Sequence, residues 1–385
     1  MLKNRFLNFG KINPISLFFE LREPRLYPQV FCALKNLLYL CRLKIKLTKN
    51  MNTITEKKRL VYLDLIRVIA TFCVIIVHVF ARDFSVNIGS YNWFISALGC
   101  NLFRWGSPLF VMISGVIFLQ PTKQVSYSIL LKKHIPRLLL AYAFWNLVYI
   151  LYEYIVVGQE LSIGLFYPHF HLWYIPMIIG VYLLIPILRK IANDKNLMRS
   201  TLILWGVYIT GCFCRFDLIP QIGAIFKSNS VFGYAGYFLL GYYLSNCTIK
   251  KKQIRWIYGA GVLGTIICVG GVLITSYITN TANTMFINNL SPHRIVVLSA
   301  VFIFIKQITP KIENKVIAFI EYVRKDLFGI YLVHGLWLLV INIPMLRDLC
   351  NHVITLPLIS IVIFILSLYT TKLIRLIPLL KKTIE

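Results

Sequence analysis

Four polar residues, Asp64, Arg67, Thr71 and His78, interrupt the apolar run Val61–Phe80. Arg67 and His78 are eleven residues apart. That is close to three turns at about 3.6 residues per turn, so a helix carries both on one face with Thr71 between them. Asp64 lies one turn before Arg67 and is spaced to pair with it. At about 1.5 Å per residue, His78 sits ~16 Å beyond Arg67 along the axis. A guanidinium suits phosphate groups. A neutral imidazole is the side chain best suited to take a proton from a hydroxyl near neutral pH. The same residues also fit a structural Arg–Asp clamp with an interfacial histidine.

Further polar groups sit in or beside other apolar runs. Arg104 precedes Pro108-Leu-Phe-Val-Met-Ile-Ser-Gly115. An arginine at mid-span must face the bundle or a wet cavity, and Pro108 is expected to kink this helix. Ser114 and Gly115 suit close helix packing more than chemistry. Lys132, Lys133 and Arg137 form a basic segment with His134 that suits phosphates, although basic loops are also ordinary for membrane proteins. His169, His171 and Trp173 read either as polar site residues or as an interfacial aromatic belt. Tyr331 and His334 fall inside a later apolar run, where a packed core histidine is the alternative. Glu153, near the end of its run, reads as solvated.

The elements that must hold these groups are membrane helices. Apolar residues make up 58% of the 385 and charged residues only 14%, about half the charge of a soluble domain. The mean hydropathy is +0.72. Ten apolar stretches read as spans: 61–80, 93–119, 135–157, 172–188, 202–214, 231–244, 256–277, 295–308, 327–343 and 353–373. Several are short of the ~20 residues that a bilayer asks for. The charge pattern supports the count. After Met51, one alternate set of connecting segments carries 24 Lys and Arg and the other carries five, Arg294 among them. Lys and Arg accumulate in cytoplasmic loops. The expected fold is therefore all-α, polytopic, with about ten transmembrane helices and both termini cytoplasmic. The net charge of +27 needs no nucleic-acid partner; the bilayer explains it.

Residues 1–58 form a basic extension with ten Lys and Arg in the first fifty positions. Met51 begins a plausible natural start, and an amphipathic surface arm is the alternative. Residues 59–380 form the transmembrane domain. The nine cysteines lack metal-ligand spacing and read as small core residues, so no metal is expected. The G-x-S-x-G, Walker and H-E-x-x-H patterns do not occur.

Taken together, the chain resembles the acyltransferase-3 family of bacterial membrane O-acyltransferases, nearest to the stand-alone enzymes that modify enterobacterial surface glycans. The matching blocks are Leu63-Asp-Leu-Ile-Arg-Val-Ile-Ala70 leading to His78, Arg104 with Pro108–Gly115, and His171-Leu-Trp173 followed by Pro186. Gly236-Tyr-Phe-Leu-Leu-Gly241 and Gly329-Ile-Tyr-Leu-Val-His334 complete the series. One departure is His134, where the family often has the first arginine of Arg-x-x-Arg; only Arg137 remains.

The resemblance implies transfer of an acetyl group from acetyl-CoA to a sugar hydroxyl of a surface or lipid-linked glycan, in the bacterial inner membrane. Glycan-assembly proteins are the implied partners. His78, Arg67 and Arg104 are the implied catalytic group. Lys132, Lys133, Arg137, Asp64, His171, Trp173, Tyr331 and His334 are the implied binding residues. A glycan or lipid transporter is the alternative. The near absence of deep carboxylates and of paired interrupted helices speaks against it. The topology is testable: tags in 158–170 and 189–199 should report opposite sides of the membrane, and labelling of both from one side would refute the ten-span arrangement.

Overall fold

The computed structural model describes residues 61–123, 125–158, 169–214, 230–341 and 351–384. All of them belong to one compact unit, Leu60–Glu385. The extension at 1–58, with its alternative start at Met51, lies outside the described residues.

Every regular element among the described residues is helical. In chain order they begin with α1 (Val61–Asp83), α2 (Tyr91–Leu102), α3 (Gly106–Phe118) and α4 (Tyr127–Val157). Next come α5 (Tyr174–Leu183), α6 (Ile185–Asn193), α7 (Lys195–Cys214), α8 (Ser230–Asn246) and α9 (Lys251–Thr279). The last are α10 (Pro292–Ile308), α11 (Asn314–Val323), α12 (Leu327–Val340), α13 (His352–Leu376) and α14 (Pro378–Lys381).

The ten apolar stretches each fall on a helix or a helix pair. Among the described residues, seven helical segments are long and apolar enough to cross a membrane, with α2 and α3 together as one (Tyr91–Phe118), and an eighth span results if α5 and α6, bent by 57°, count as one. The difference from ten is one of length. With 17 and 14 residues, α8 and α12 reach only about 26 and 21 Å at 1.5 Å per residue, short of a ~30 Å hydrocarbon core. The chain is an all-α, multi-pass membrane protein. The α5–α6 bend falls at Leu184, where Pro186 at the start of α6 removes a backbone donor.

The helix α1 is the axis of the bundle. Of its most apolar window, 72% is buried, against 17% for α7. The glycines show how closely its surroundings pack. A Cβ on Gly115 of α3 would collide with the Phe238 backbone of α8, and one on Gly241 of α8 would collide with the Met112 backbone of α3. Reciprocal small residues let the two helices meet at backbone distance. Gly106 does the same for α3 against the Ala70 carbonyl of α1.

Within the span Tyr91–Phe118, a turn at 103–105 upstream of Pro108 separates α2 from α3, so Arg104 lies in the break. At one end of the bundle, cations serve the backbone. Arg189 donates to the carbonyls of Phe118 (2.6 Å) and Gln120 (3.2 Å), and Lys306 donates to those of Leu244 and Ser245 (3.1 and 2.6 Å). Cations at these carbonyls complement the negative ends of α3 and α8.

Of the cysteines described, Cys73, Cys100 and Cys268 are buried as core residues, whereas Cys212 and Cys214 are exposed on α7. The α3–α8 contact predicts a stability test. Gly241→Leu overpacks a backbone contact and should cost at least about 1–3 kcal/mol, read as a lower melting temperature in detergent. Gly259→Leu, where a Cβ meets open space, should leave that temperature unchanged.

Candidate active site

The polar face of α1 has two ends with different surroundings. At the first, Arg67 Nη1 donates to Asp64 Oδ1 at 2.5 Å, and Arg324 Nη1 reaches the other Asp64 oxygen at 3.7 Å. Asp64 is buried, so its carboxylate fixes Arg67 from behind. Thr71 returns its hydroxyl to the Arg67 carbonyl at 2.9 Å. Lys123 lies close enough to Arg67 and to Lys133 to interact electrostatically with both. Burial first, then the charges of Arg67 and Lys133, hold Lys123 below the usual lysine range. Arg137 completes the cluster: it and Arg67 both act on the Tyr182 hydroxyl. His134 packs edge-on against Phe118 within the same group. Lys132 is exposed on the turn that carries Lys133, and no contact among the described residues draws it into the cluster. A group of crowded cations with one shared carboxylate is suited to polyanionic phosphate.

At the far end, four imidazoles meet. His78 stacks on His334 with ring centroids 5.5 Å apart, and His334 lies edge-on to His171 at 4.8 Å. His171 and His169 join through their Nδ1 atoms at 2.9 Å, one donating and the other accepting. Phe170 closes the ring of contacts against His78 at 4.7 Å. The surrounding hydrogen bonds fix the orientations. The Tyr331 hydroxyl donates to the His171 carbonyl, and the Tyr149 hydroxyl donates to the Leu332 carbonyl at 2.7 Å. His334 Nδ1 lies 2.6 Å from the Tyr331 carbonyl. A carbonyl only accepts, so this nitrogen carries the proton and His334 Nε2 is bare. His334 Nε2 and His171 Nε2 are both buried without a partner.

Burial first, then electrostatic interaction with His334 and with the Arg82 charge, pushes His169 down to about 3. His169 is therefore neutral near pH 7, and its 3.7 Å approach to Glu153 is a dipolar contact rather than an ion pair. Glu153 itself is only partly exposed, packed beside the cluster rather than solvated. Among the described residues, no group of three or more His, Cys, Asp or Glu is placed to hold a metal ion.

Space adjoins this cluster on one side. A cavity of about 60 Å³ is lined by His78, Arg104, Ser107, Trp173 and Asn289 together with apolar groups. Arg104, Trp173 and Asn289 also line a vestibule of about 780 Å³. The two spaces thus lie side by side, with these three side chains between them. The break between α2 and α3 is what turns Arg104 toward the small cavity, and the turn before α5 supplies Trp173.

Two separate groupings hold most of the residues singled out from sequence. His78, Arg104, His171, Trp173, Tyr331 and His334 gather at one end of α1, and Asp64, Arg67, Lys133 and Arg137 at the other. The acyltransferase-3 family model, an acyltransferase domain, matches residues 60–374. The chain belongs to the acyltransferase-3 family. No curated protein and no solved structure matches it.

Several residues of this candidate site were not legible in the sequence. His169 read equally well as an interfacial belt residue, because the signal that binds it to the site is a contact with His171 and Tyr149 rather than a spacing. Arg294, assigned to an outer loop by charge counting, is buried in α10 and donates to the Asn101 carbonyl at 3.1 Å. Gly335 follows His334, and a Cβ there would fall 2.6 Å from the Tyr149 hydroxyl and 2.7 Å from His171 Cε1. Gly335→Ala should therefore displace His171. Misplacement by about 1 Å costs up to 10²-fold in rate, so a drop of roughly ten- to a hundredfold in kcat is expected, with the Michaelis constant for the acyl donor unchanged. Full activity in Gly335→Ala would show that the cluster tolerates loose packing.

Proposed function

We propose that this acyltransferase moves an acetyl group from acetyl-CoA to a sugar hydroxyl of a surface or lipid-linked glycan, in the bacterial inner membrane with both termini in the cytoplasm. The observation that carries this reading is the shared cavity of His78 and Arg104, set on the helix face that begins at the basic cluster. The family speaks for transfer chemistry over a glycan or lipid transporter.

In this reading the phosphates of CoA rest on Arg67, Lys123, Lys133 and Arg137, and the thioester arm extends along α1. The axial separation of ~16 Å between Arg67 and His78 is the distance that the arm must cover. The acceptor hydroxyl enters from the vestibule. His78 takes its proton as the oxygen attacks the thioester carbonyl carbon. The negative charge that develops on the carbonyl oxygen faces the Arg104 guanidinium, a fixed donor in a site of low polarity. Collapse of the tetrahedral intermediate breaks the carbon–sulfur bond, and the departing thiolate recovers the proton from His78. His334 and His171, neither of which is solvated, hold the His78 ring and exclude water. Asp64 is a positioning residue for Arg67, and Tyr331 for His171.

A purified preparation with acetyl-CoA, a lipid-linked saccharide as acceptor and a thiol-reactive dye tests the reading. Turnover should be present in the parent chain. His78→Ala should lower kcat by about 10²–10⁴-fold while leaving membrane insertion and CoA binding intact. His78→Gln should not restore it, because an amide keeps hydrogen bonds but cannot act as a base. Arg67→Gln or Arg137→Gln should raise the Michaelis constant for acetyl-CoA about tenfold or more. Near-normal turnover in His78→Ala would move the base to His171 or His334. A donor-dependent acetyl group trapped on the His78 ring would replace direct attack by a relay through acyl-imidazole.

A further inference from the structure

The vestibule on the acceptor side has an uncompensated charge. Arg104 lines both it and the small cavity, and no carboxylate or hydrogen-bond partner meets its guanidinium among the described residues. A second arginine stands behind it. Arg294 is 1% exposed, and it and Arg104 are close enough to interact, both also acting on the Tyr234 hydroxyl. Its single hydrogen bond goes to a carbonyl, and its Nε and Nη2 are buried without partners. The described vestibule residues include no Asp or Glu at all. Two like charges in a low-dielectric wall repel one another, and an unpaired buried charge is strongly unfavourable. Among the described residues, a site that keeps both is short of one anion.

The remaining lining indicates what carries that anion. Asn283, Asn288, Asn289 and Thr284 offer amide and hydroxyl groups, and Trp173 and Tyr234 offer ring faces. Amides fix the hydroxyls of a sugar and aromatic rings cover its apolar face. The volume of about 780 Å³ lies within the range of ligand pockets, roughly 300–1,000 Å³, and exceeds what one monosaccharide fills. We infer that the vestibule binds a saccharide unit bearing an anionic group, a carboxylate or a phosphate, and that Arg104, backed by Arg294, supplies the counter-charge. This rests on the acyl-transfer reading only for calling the ligand the acceptor. The charge and the lining stand without it.

The test is binding, measured by saturation-transfer NMR on the full chain in nanodiscs. Three probes separate the sources of charge: a glucuronosyl disaccharide, the same disaccharide with its carboxyl reduced to an alcohol, and N-acetylglucosamine 1-phosphate. At least one charged probe should bind tenfold or more tightly than the neutral one, with the advantage shrinking as salt rises. Preference for the disaccharide assigns the charge to an acidic sugar; preference for the phosphate assigns it to a phosphate-linked one. Arg294→Gln should reduce the discrimination severalfold, because Arg104 alone then supplies the counter-charge.

Because that buried variant can fail to fold, Asn288→Asp provides a second arm. Asn288 is exposed, and its side-chain oxygen accepts from the Leu290 amide at 2.9 Å, a bond that an aspartate retains. The variant should weaken the charged probes about tenfold and leave the neutral one unchanged. Equal binding of all three probes, no binding of either charged probe in the millimolar range, or indifference to Asn288→Asp would overturn the proposal. Acetyl-CoA turnover on the same preparations keeps the two readings apart. Turnover without charge discrimination refutes the anion site alone, and charge-selective binding without turnover refutes acyl transfer alone.

Discussion

A helix that carries Asp64, Arg67, Thr71 and His78 through an apolar bundle must find a partner for each, and the surrounding architecture is arranged around that requirement. Ionisable groups at membrane depth are costly unless paired or hydrated. The structure meets this for α1 by enclosing it. Arg324 joins the Asp64–Arg67 pair at one end, Thr71 turns back on its own helix, and three further histidines with Tyr149 and Tyr331 surround the far end. Enclosure in turn demands close packing, which Gly106 and the reciprocal Gly115 and Gly241 permit.

The irregular backbone falls where the site needs it. Broken helices at membrane depth persist only where they are buried in protein or line a cavity. The break at 103–105 places Arg104 on the small cavity, and the turn before α5 places Trp173 there and His171 beside it. These segments bring the vestibule walls Arg104 and Trp173 to the cavity of His78, while the intact length of α1 keeps the imidazole apart from the basic cluster.

The parts of this arrangement that were legible in sequence are those set by local spacing. The Asp64–Arg67 pair follows from one helical turn, and the shared face of Arg67 and His78 from three. Family blocks then gathered Arg104, His171, Trp173 and His334 into one expectation. What was not legible depends on contacts between distant segments. Helix periodicity says nothing of how His169 meets Tyr149, or of how Gly335 leaves room for His171. Arg294 was misplaced because charge counting treats any arginine between two apolar runs as a loop residue, whereas here it forms the first turn of a buried helix. The ten apolar stretches and the eight segments long enough to cross differ for a related reason: apolar composition does not register the length of short helices such as α8 and α12.

The central claim is that donor phosphates and reacting thioester occupy opposite ends of α1. Photolabelling with two CoA thioesters tests it most directly, one carrying a crosslinker on the adenine and the other on the acyl carbon, with the adducts mapped by mass spectrometry. The adenine label should fall on residues 123–137 and the acyl label beside His78, in α12 or the 169–173 turn. Both labels at the same end of α1 would contradict it.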